Sequence, residues 1–186
     1  MSLKHAMLGF LSVEDMNGYQ LKKHFDESIS RFWSVSISQI YPTLSDMLGA
    51  ELIAIQNSGE DDSRGSKIYR ITEKGKEELR QWLTAPAKEE PFRSEMLVKL
   101  YFSANIDSKT VINHLSAQKN EAQKRLKFYN VYLEHIENEH IDEKIFNKDA
   151  VYWQMTVRYG IFRSHALIDW CDECIATLQK NKVTAD

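Results

Sequence analysis

Ser36-Ile37-Ser38-Gln39-Ile40-Tyr41-Pro42-Thr43-Leu44-Ser45 is the stretch on which the fold turns. Ser36 and Gln39 stand at the Ser-x-x-Gln spacing of a capping box, which predicts a helix start here. Ile37, Ile40, Leu44, Met47 and Leu48 give that helix an inward face, and Gly49 and Leu52 mark its end. Pro42 forfeits one backbone hydrogen bond and is expected to start the regular helix late. Upstream, Asn17-Gly18 turns the chain and caps a preceding helix, with Tyr19, Leu21 and Phe25 inward and Gln20, Lys22 and Lys23 outward. Before that, Leu3, Met7, Leu8 and Leu11 space a first short helix that reaches about Val13. Downstream, two short apolar segments, 52–55 and 67–71, flank the polar, turn-rich run 57–65 and predict a two-stranded hairpin. Thr72 then caps a fourth helix carrying Leu79, Trp82 and Leu83. Three helices, a two-stranded wing and a linking helix over residues 1–85 make a winged helix-turn-helix.

Beyond it the character of the chain changes. All three prolines and six of the seven glycines lie in the first 91 residues, so short elements give way to long uninterrupted ones. Ala85-Pro86-Ala87-Lys88-Glu89-Glu90-Pro91 reads as the linker, and residues 92–186 as a second, wholly helical domain. A short apolar helix over 94–102 precedes a long one capped by Asp107-Ser108. Along the long helix Val111, Leu115, Ala122, Leu126, Tyr129, Leu133 and Ile136 form an a/d-like seam. A last helix over about 148–180 supplies Val151, Met155, Tyr159, Phe162, Ala166, Ile168, Trp170, Ile175 and Leu178. Two such helices can satisfy each other or pack against the same pair from a second copy; the second reading is favoured, with the seam from Leu115 to Ile136 as a homodimer contact. The fold class is therefore mainly α, a winged helix-turn-helix plus a long-helix dimerisation domain.

The 186 residues carry a net charge of −3, with ten basic against twelve acidic residues in 1–85 and fourteen against fifteen after that. This excludes an evenly basic protein that coats DNA or acidic membranes. The distribution says more than the total. Between residues 28 and 45 the only formal charge is Arg31, so no carboxylate on the third helix repels phosphate. Ser36, Ser38, Gln39, Tyr41, Thr43 and Ser45 offer hydroxyl and amide groups to phosphates, and Gln39 suits an adenine edge in the major groove. Lys22 and Lys23 stand on the preceding helix. Arg64, Lys67 and Arg70 fall in an acid-free window over 63–72 that reads as a wing reaching the minor groove or its phosphates, although Glu60-Asp61-Asp62 lies just before it. The bland reading of Ser36 and Gln39 is a helix cap, and of Tyr41 a local packing contact. Their joint presence on one helix with basic flanks favours double-stranded DNA as the partner.

Other chemistries lack a signature. There is no phosphate-binding Gly-rich loop, G-x-S-x-G or H-E-x-x-H, which argues against an enzyme, and no cofactor is expected. Cys171-Asp172-Glu173-Cys174 has CxxC spacing but sits inside a helix, and His165 alone does not complete a metal set, so two small packing residues are favoured over metal or redox use. Tyr152, Trp153, Met155, Arg158, Tyr159 and Phe162 could line a pocket for a small planar aromatic effector, against helical core or dimer contact, which is favoured. Two cysteines near the C-terminus, no membrane-length apolar run and no cleavage pattern after residues 6–13 point to a cytoplasmic protein that keeps its N-terminus.

Leu8-Gly9-Phe10-Leu11, Gly18-Tyr19-Gln20-Leu21-Lys22-Lys23-His24-Phe25-Asp26, Phe32-Trp33, residues 36–44, Leu52-Ile53 and Tyr69-Arg70-Ile71-Thr72-Glu73-Lys74-Gly75 together resemble the PadR family of bacterial transcription regulators. The second half, with Arg158-Tyr159-Gly160-Ile161 and Ile168-Asp169-Trp170-Cys171, is similar to the helical domain of its virulence-activator-like branch. The resemblance implies a regulator, more often a repressor, and in some relatives a response to phenolic or drug-like compounds. With the dimer expectation it gives an inverted-repeat operator. The rival readings are a ligand- or protein-binding helical adaptor without DNA binding, and a thiol redox sensor using Cys171 and Cys174.

Overall fold

The structure, a computed structural model, describes residues 3–30, 32–56, 67–87, 92–138 and 147–183. The chain divides into two units, Met1–Glu90 and Pro91–Asp186.

The first unit runs α1 (Leu3–Leu11), α2 (Gly18–Glu27), α3 (Ile37–Gly49), β1 (Ile53–Gln56), β2 (Ile68–Ile71) and α4 (Glu73–Thr84). Helix α1 ends at Leu11, short of Val13, where the Ser12 hydroxyl donates to the Gly9 carbonyl at 2.6 Å. Helix α2 starts on a reciprocal cap: the Gln20 N–H donates to Asn17 Oδ1 at 2.9 Å, and the Asn17 N–H donates to Gln20 Oε1 at 2.8 Å. Helix α3 is regular from Ile37, so Pro42 is carried inside it rather than delaying it. The strands pair antiparallel, Ile53 opposite Ile71 and Ile55 opposite Tyr69. Met16 adds a bridge that sequence reading missed, exchanging both backbone hydrogen bonds with Tyr69 at 2.9 and 3.0 Å, so β2 is flanked on both sides.

Met7, Leu8, Leu11, Leu21, Phe25, Ile40, Leu44, Met47, Leu52, Ile53 and Tyr69 enclose one core with Met16 and Val35. Two residues expected inward are not there: Tyr19 is 73% and Ile37 43% exposed. Both occupy the first turn of a helix, where the core-facing positions lie further along, at Leu21 and Ile40. On α4, Leu79 packs against the core, Trp82 stacks on the His5 ring at 4.7 Å, and Leu83 is exposed. Gly75 fixes the docking of α4, because a Cβ there would lie 2.1 Å from the Leu52 carbonyl oxygen.

The second unit runs α5 (Glu95–Tyr101), a 3₁₀ turn (Ser103–Asn105), α6 (Ser108–Asn138) and α7 (Asn147–Val183). Asp107 starts α6 by accepting from the Thr110 N–H and hydroxyl, and these bonds hold its carboxyl below the usual range. Lys119 pairs with Asp172 and Glu137 lies 3.7 Å from Arg158, so α6 and α7 run antiparallel. The expected seam is real, but it is used within the chain. Leu115 packs in a cluster with Cys171, and Tyr129 lies so close to Gly160 that an added Cβ would meet its ring at 2.5 Å. Ala122 and Ile136 are buried, and Leu126 and Leu133 half-buried, on the same stripe of α6. Of the stripe expected at contact with a second copy, Leu115, Ala122 and Ile136 are covered within the chain, while Leu126, Tyr129 and Leu133 keep part of their surface open. Opposite them α7 presents Val157, Gly160, Ser164 and Cys171, small or buried residues that permit close approach, while Val151, Met155, Tyr159 and Phe162 point away and are exposed.

Candidate nucleic-acid interface

The outward surface of α3 is built by what its inward surface needs. With Ile40, Leu44 and Met47 fixed in the core, the helical period turns Ser36, Ile37, Ser38, Gln39, Tyr41 and Ser45 outward, and all six are exposed. At the start of the helix the Ser36 N–H donates to Gln39 Oε1 at 3.0 Å, and the Ser36 hydroxyl donates to the same oxygen at 3.1 Å. Ser38 Oγ lies 2.7 Å from Ser36 Oγ. The capping reading of these residues holds, and it leaves the hydroxyls and the Gln39 amide grouped on the exposed first turn. Thr43 is half-buried, with its hydroxyl donating to the Gln39 carbonyl at 2.7 Å.

Tyr41 does two things. Its ring covers the start of α2, so that a Cβ on Gly18 would stand 2.7 Å from it, yet half of its surface remains open. It thereby braces the two helices of the helix-turn-helix, with its hydroxyl edge against the start of α2. Burial, then the neighbouring Tyr41, pushes the Tyr69 hydroxyl above its ordinary value, so Tyr69 stays neutral beneath this surface.

The cations are less free than composition alone suggests. Lys22 pairs with Asp26, and Lys23 lies 3.7 Å from Glu27, both at i,i+4 on α2. Exposed pairs of this kind are worth about 0.3–0.5 kcal/mol, so a phosphate displaces the carboxylate at little cost. Lys67 is exposed at the entry to β2, and Arg70 is exposed on the strand itself, opposite Ala54. Arg64, Arg31 and the acidic run Glu60-Asp61-Asp62 lie outside the described residues. Sequence reading stopped one residue short of an acid that matters: Asp46 is exposed two turns after Gln39, about 10 Å along the same face. It confines the acid-free surface to the first half of α3.

In the second unit, Tyr152, Trp153, Met155, Arg158, Tyr159 and Phe162 all lie on α7 and are exposed, with Trp153 the most covered of the aromatic ones. Burial, reinforced by Cys174 and Asp172, pushes the Cys171 thiol up, and burial and Glu173 do the same to Cys174. Both thiols are thereby disfavoured as nucleophiles, which weighs against the redox reading. Among the described residues no cluster of His, Cys, Asp and Glu is arranged to hold a metal, and no helix is long and apolar enough to cross a membrane.

Residues 7–81 match the family described as transcriptional regulator PadR-like, and residues 92–179 match the virulence activator alpha C-terminal family. The chain is 34% identical over 101 residues to the negative transcriptional regulator PadR of Bacillus subtilis, an alignment covering 54% of this chain and 56% of that protein. It is 28% identical over 192 residues, covering 98% and 100%, to a probable transcriptional regulator of Mycobacterium tuberculosis. Among solved structures, B. subtilis PadR in complex with operator DNA superposes with a TM-score of 0.82 at 22% identity, covering 96% of this chain and 99% of the other. The same protein with p-coumaric acid gives 0.78 at 23%, covering 95% of each. The Vibrio cholerae virulence activator AphA gives 0.73 at 27%, covering 96% and 99%. These relatives are regulators, not enzymes, and their fold is a winged helix followed by a helical domain. With the two family matches taking in most of its length, the chain belongs to the PadR-like family of transcriptional regulators.

Proposed function

We propose that this regulator is a homodimeric, sequence-specific repressor that binds an inverted-repeat operator through the first turns of α3. The observation that carries the reading is the exposed, acid-free surface of Ser36, Ser38, Gln39 and Tyr41, backed by an enclosed core that fixes its direction. Thr43 and Ser45 extend that surface, Ile37 offers an apolar contact for a thymine methyl, and Lys22, Lys23, Arg64 and Lys67 supply phosphate contacts. In this reading residues 1–85 form the DNA-binding domain and 92–186 the dimerisation and effector domain, and the protein works in the cytoplasm, where its operator lies.

The dimer contact moves to the outer face of α7. Met155, Tyr159 and Phe162 are each more than half exposed on the side of the helix away from α6, and a helix apolar on two faces requires a second partner. A second copy supplies it, and a two-fold dimer sets two recognition helices about 34–36 Å apart on successive major grooves. The p-coumaric acid complex of the B. subtilis relative supports a small aromatic acid as the effector class. On this face Arg158, 3.7 Å from Glu137, is the cation such a carboxylate would meet, with Tyr159 next to it along α7.

Fluorescence anisotropy on the duplex upstream of the protein's own coding region tests the assignment. Tight, salt-sensitive binding is expected, and Lys67→Ala should reduce the slope of log affinity against log salt by about one. Absence of binding there and on genomic fragments would overturn it. Light scattering should return the dimer mass at micromolar concentration.

A further inference from the structure

We infer that Gln39 acts in the groove as a hydrogen-bond donor only, which selects guanine over adenine at the base it faces. The inference rests on the DNA-binding reading of α3 and concerns what one side chain there is able to read.

A glutamine amide is ambiguous until something fixes which end is oxygen. Here the backbone of Ser36 does so, because an N–H can only donate. The atom 3.0 Å from Ser36 N is therefore Oε1, and the Ser36 hydroxyl donates to it as well, at 3.1 Å. Both lone pairs of that oxygen are engaged at the start of the helix. The corresponding cap on α2 uses Gln20 in the same way, with Oε1 2.8 Å from the Asn17 N–H. What Gln39 leaves free is Nε2, which has no acceptor among the described residues, on a side chain exposed at the first turn of the helix.

Glutamine reads adenine by accepting from N6–H and donating to N7, which takes both ends of the amide. That pattern requires Oε1 to release the Ser36 N–H, leaving an orphan donor in the first turn. With the oxygen held, two N–H groups remain. Guanine presents two acceptors, O6 and N7, and takes both. Thymine offers O4 alone, adenine sets its own N6–H beside the single acceptor N7, and cytosine offers only a donor. The adenine contact expected from residue type alone is thereby replaced by guanine.

Selection from a random duplex library with the full-length protein tests this, using wild type and Gln39→Glu. Glutamate keeps an oxygen for the Ser36 N–H and suits a helix start, so the variant should melt at or above the wild-type temperature. Its outward group becomes an acceptor. The wild-type motif should contain guanine at one symmetry-related pair of positions, where adenine lowers affinity by about 5- to 150-fold. The variant should bind every sequence more weakly, since its carboxylate repels phosphate, and should prefer cytosine at that one pair with the rest of the motif unchanged. Identical base preferences in both proteins would overturn the inference, as would adenine in the wild-type motif at the pair the variant alters. A wild type that enriches no sequence fails differently: it removes the DNA-binding reading itself.

Discussion

Phe25 and Phe162 are the same side chain in two settings. In the first unit Phe25 is fully enclosed, with the Phe10 ring edge-on at 5.0 Å and core residues from several elements around it. In the second, Phe162 is 72% exposed on a helix whose other face is buried. The difference follows from architecture. Helices α1, α2 and α3 and the hairpin approach their core from several directions, so an apolar residue on any of them finds a neighbour. Helices α6 and α7 meet along one line, and two cylinders cover only one stripe of each other. Val111, Leu115, Ala122, Ile136, Val157 and Cys171 are the buried apolar residues of the second unit among those described, whereas Phe92, Val98, Tyr101 and Phe102 near α5, and Tyr152, Met155, Tyr159 and Phe162 on α7, stay open. One unit buries its large apolar side chains within itself, and the other leaves an apolar face that a second copy covers in the proposed dimer.

The matched phenylalanines give the largest effects. Phe25→Ala should destabilise the first unit by about 3–5 kcal/mol, independently of protein concentration, read by urea unfolding. Phe162→Ala should leave the melting of the first unit unchanged and instead weaken association by about 2 kcal/mol, read by light scattering across a dilution series. If Phe162→Ala dimerises like wild type, the contrast between the units fails.

A pair of glycines sharpens it. Gly75→Ala forces a methyl against the Leu52 carbonyl, backbone that cannot turn aside, and should cost about 2–3 kcal/mol. Gly160→Ala meets the far edge of the Tyr129 ring, a side chain that can shift where backbone cannot, and should cost about 1 kcal/mol. Hydrogen exchange resolved by unit measures each separately. Equal costs would mean that the helix pair is packed as rigidly as the winged helix.

Much of this was legible in the chain, for reasons that particular residues show. The caps at Asn17, Ser36 and Thr72 are local signals, satisfied within three residues, and each marks the helix it announced. The seam from Val111 to Ile136 was also plain, because period is a property of one helix. Its partner was not: periodicity says that a face is apolar, not which surface covers it, and the answer lay in Gly160 and Ser164, whose smallness hides them from a search for large apolar residues. In the candidate interface, residue type pointed to Gln39 but not to which end of its amide is free, since that depends on one hydrogen bond from Ser36. The outward turn of Tyr19 and Ile37 and the bridge at Met16 are tertiary and leave no mark in spacing.

Acid should act first on the first unit. His5 is buried against Trp82, its Nε2 donates to Glu78 at 3.2 Å, and its Nδ1 has no partner. Burial holds its ring below the ordinary value of 6.5, outweighing the bond to Glu78, which raises it. The unfolded chain therefore takes up this proton first, and stability falls as pH drops below about 6.5. Hydrogen bonds from Lys4 and then His5 hold the Glu78 carboxyl below its usual range, so a second loss follows as pH falls past about 4.5. His5→Phe keeps the stack on Trp82 and should flatten the upper step, measured by thermal melting between pH 7 and 5, and, by removing one of the two bonds to Glu78, should shrink the lower one. An unchanged profile would place the acid response elsewhere.

The smallest effect lies where α3 turns into β1. Glu51 has φ of 60°, the left-handed region that glycine adopts freely and other residues at a cost of about 1–2 kcal/mol. Gly49 nearby has no such need, so the glycine the sequence offers as a helix stop is two residues from the strained one. Glu51 stays in place through its neighbours: its carbonyl accepts from the Thr72 hydroxyl at 2.8 Å and its carboxylate lies 3.2 Å from Lys74. The backbone contact survives any substitution, and the exposed ion pair is worth at most about 1 kcal/mol. Glu51→Ala therefore loses the pair and keeps the strain, a change of a few tenths of a kcal/mol downward by the same measure. Glu51→Gly loses the pair and the strain, at the further cost of a more flexible unfolded chain, and should come out more stable than the alanine variant by about 1 kcal/mol. The two variants differ only in backbone freedom, so urea midpoints for both isolate the strain held at this corner. If alanine and glycine unfold together, the left-handed turn stores nothing, and the first unit is as free of strain as the straight helices of the second.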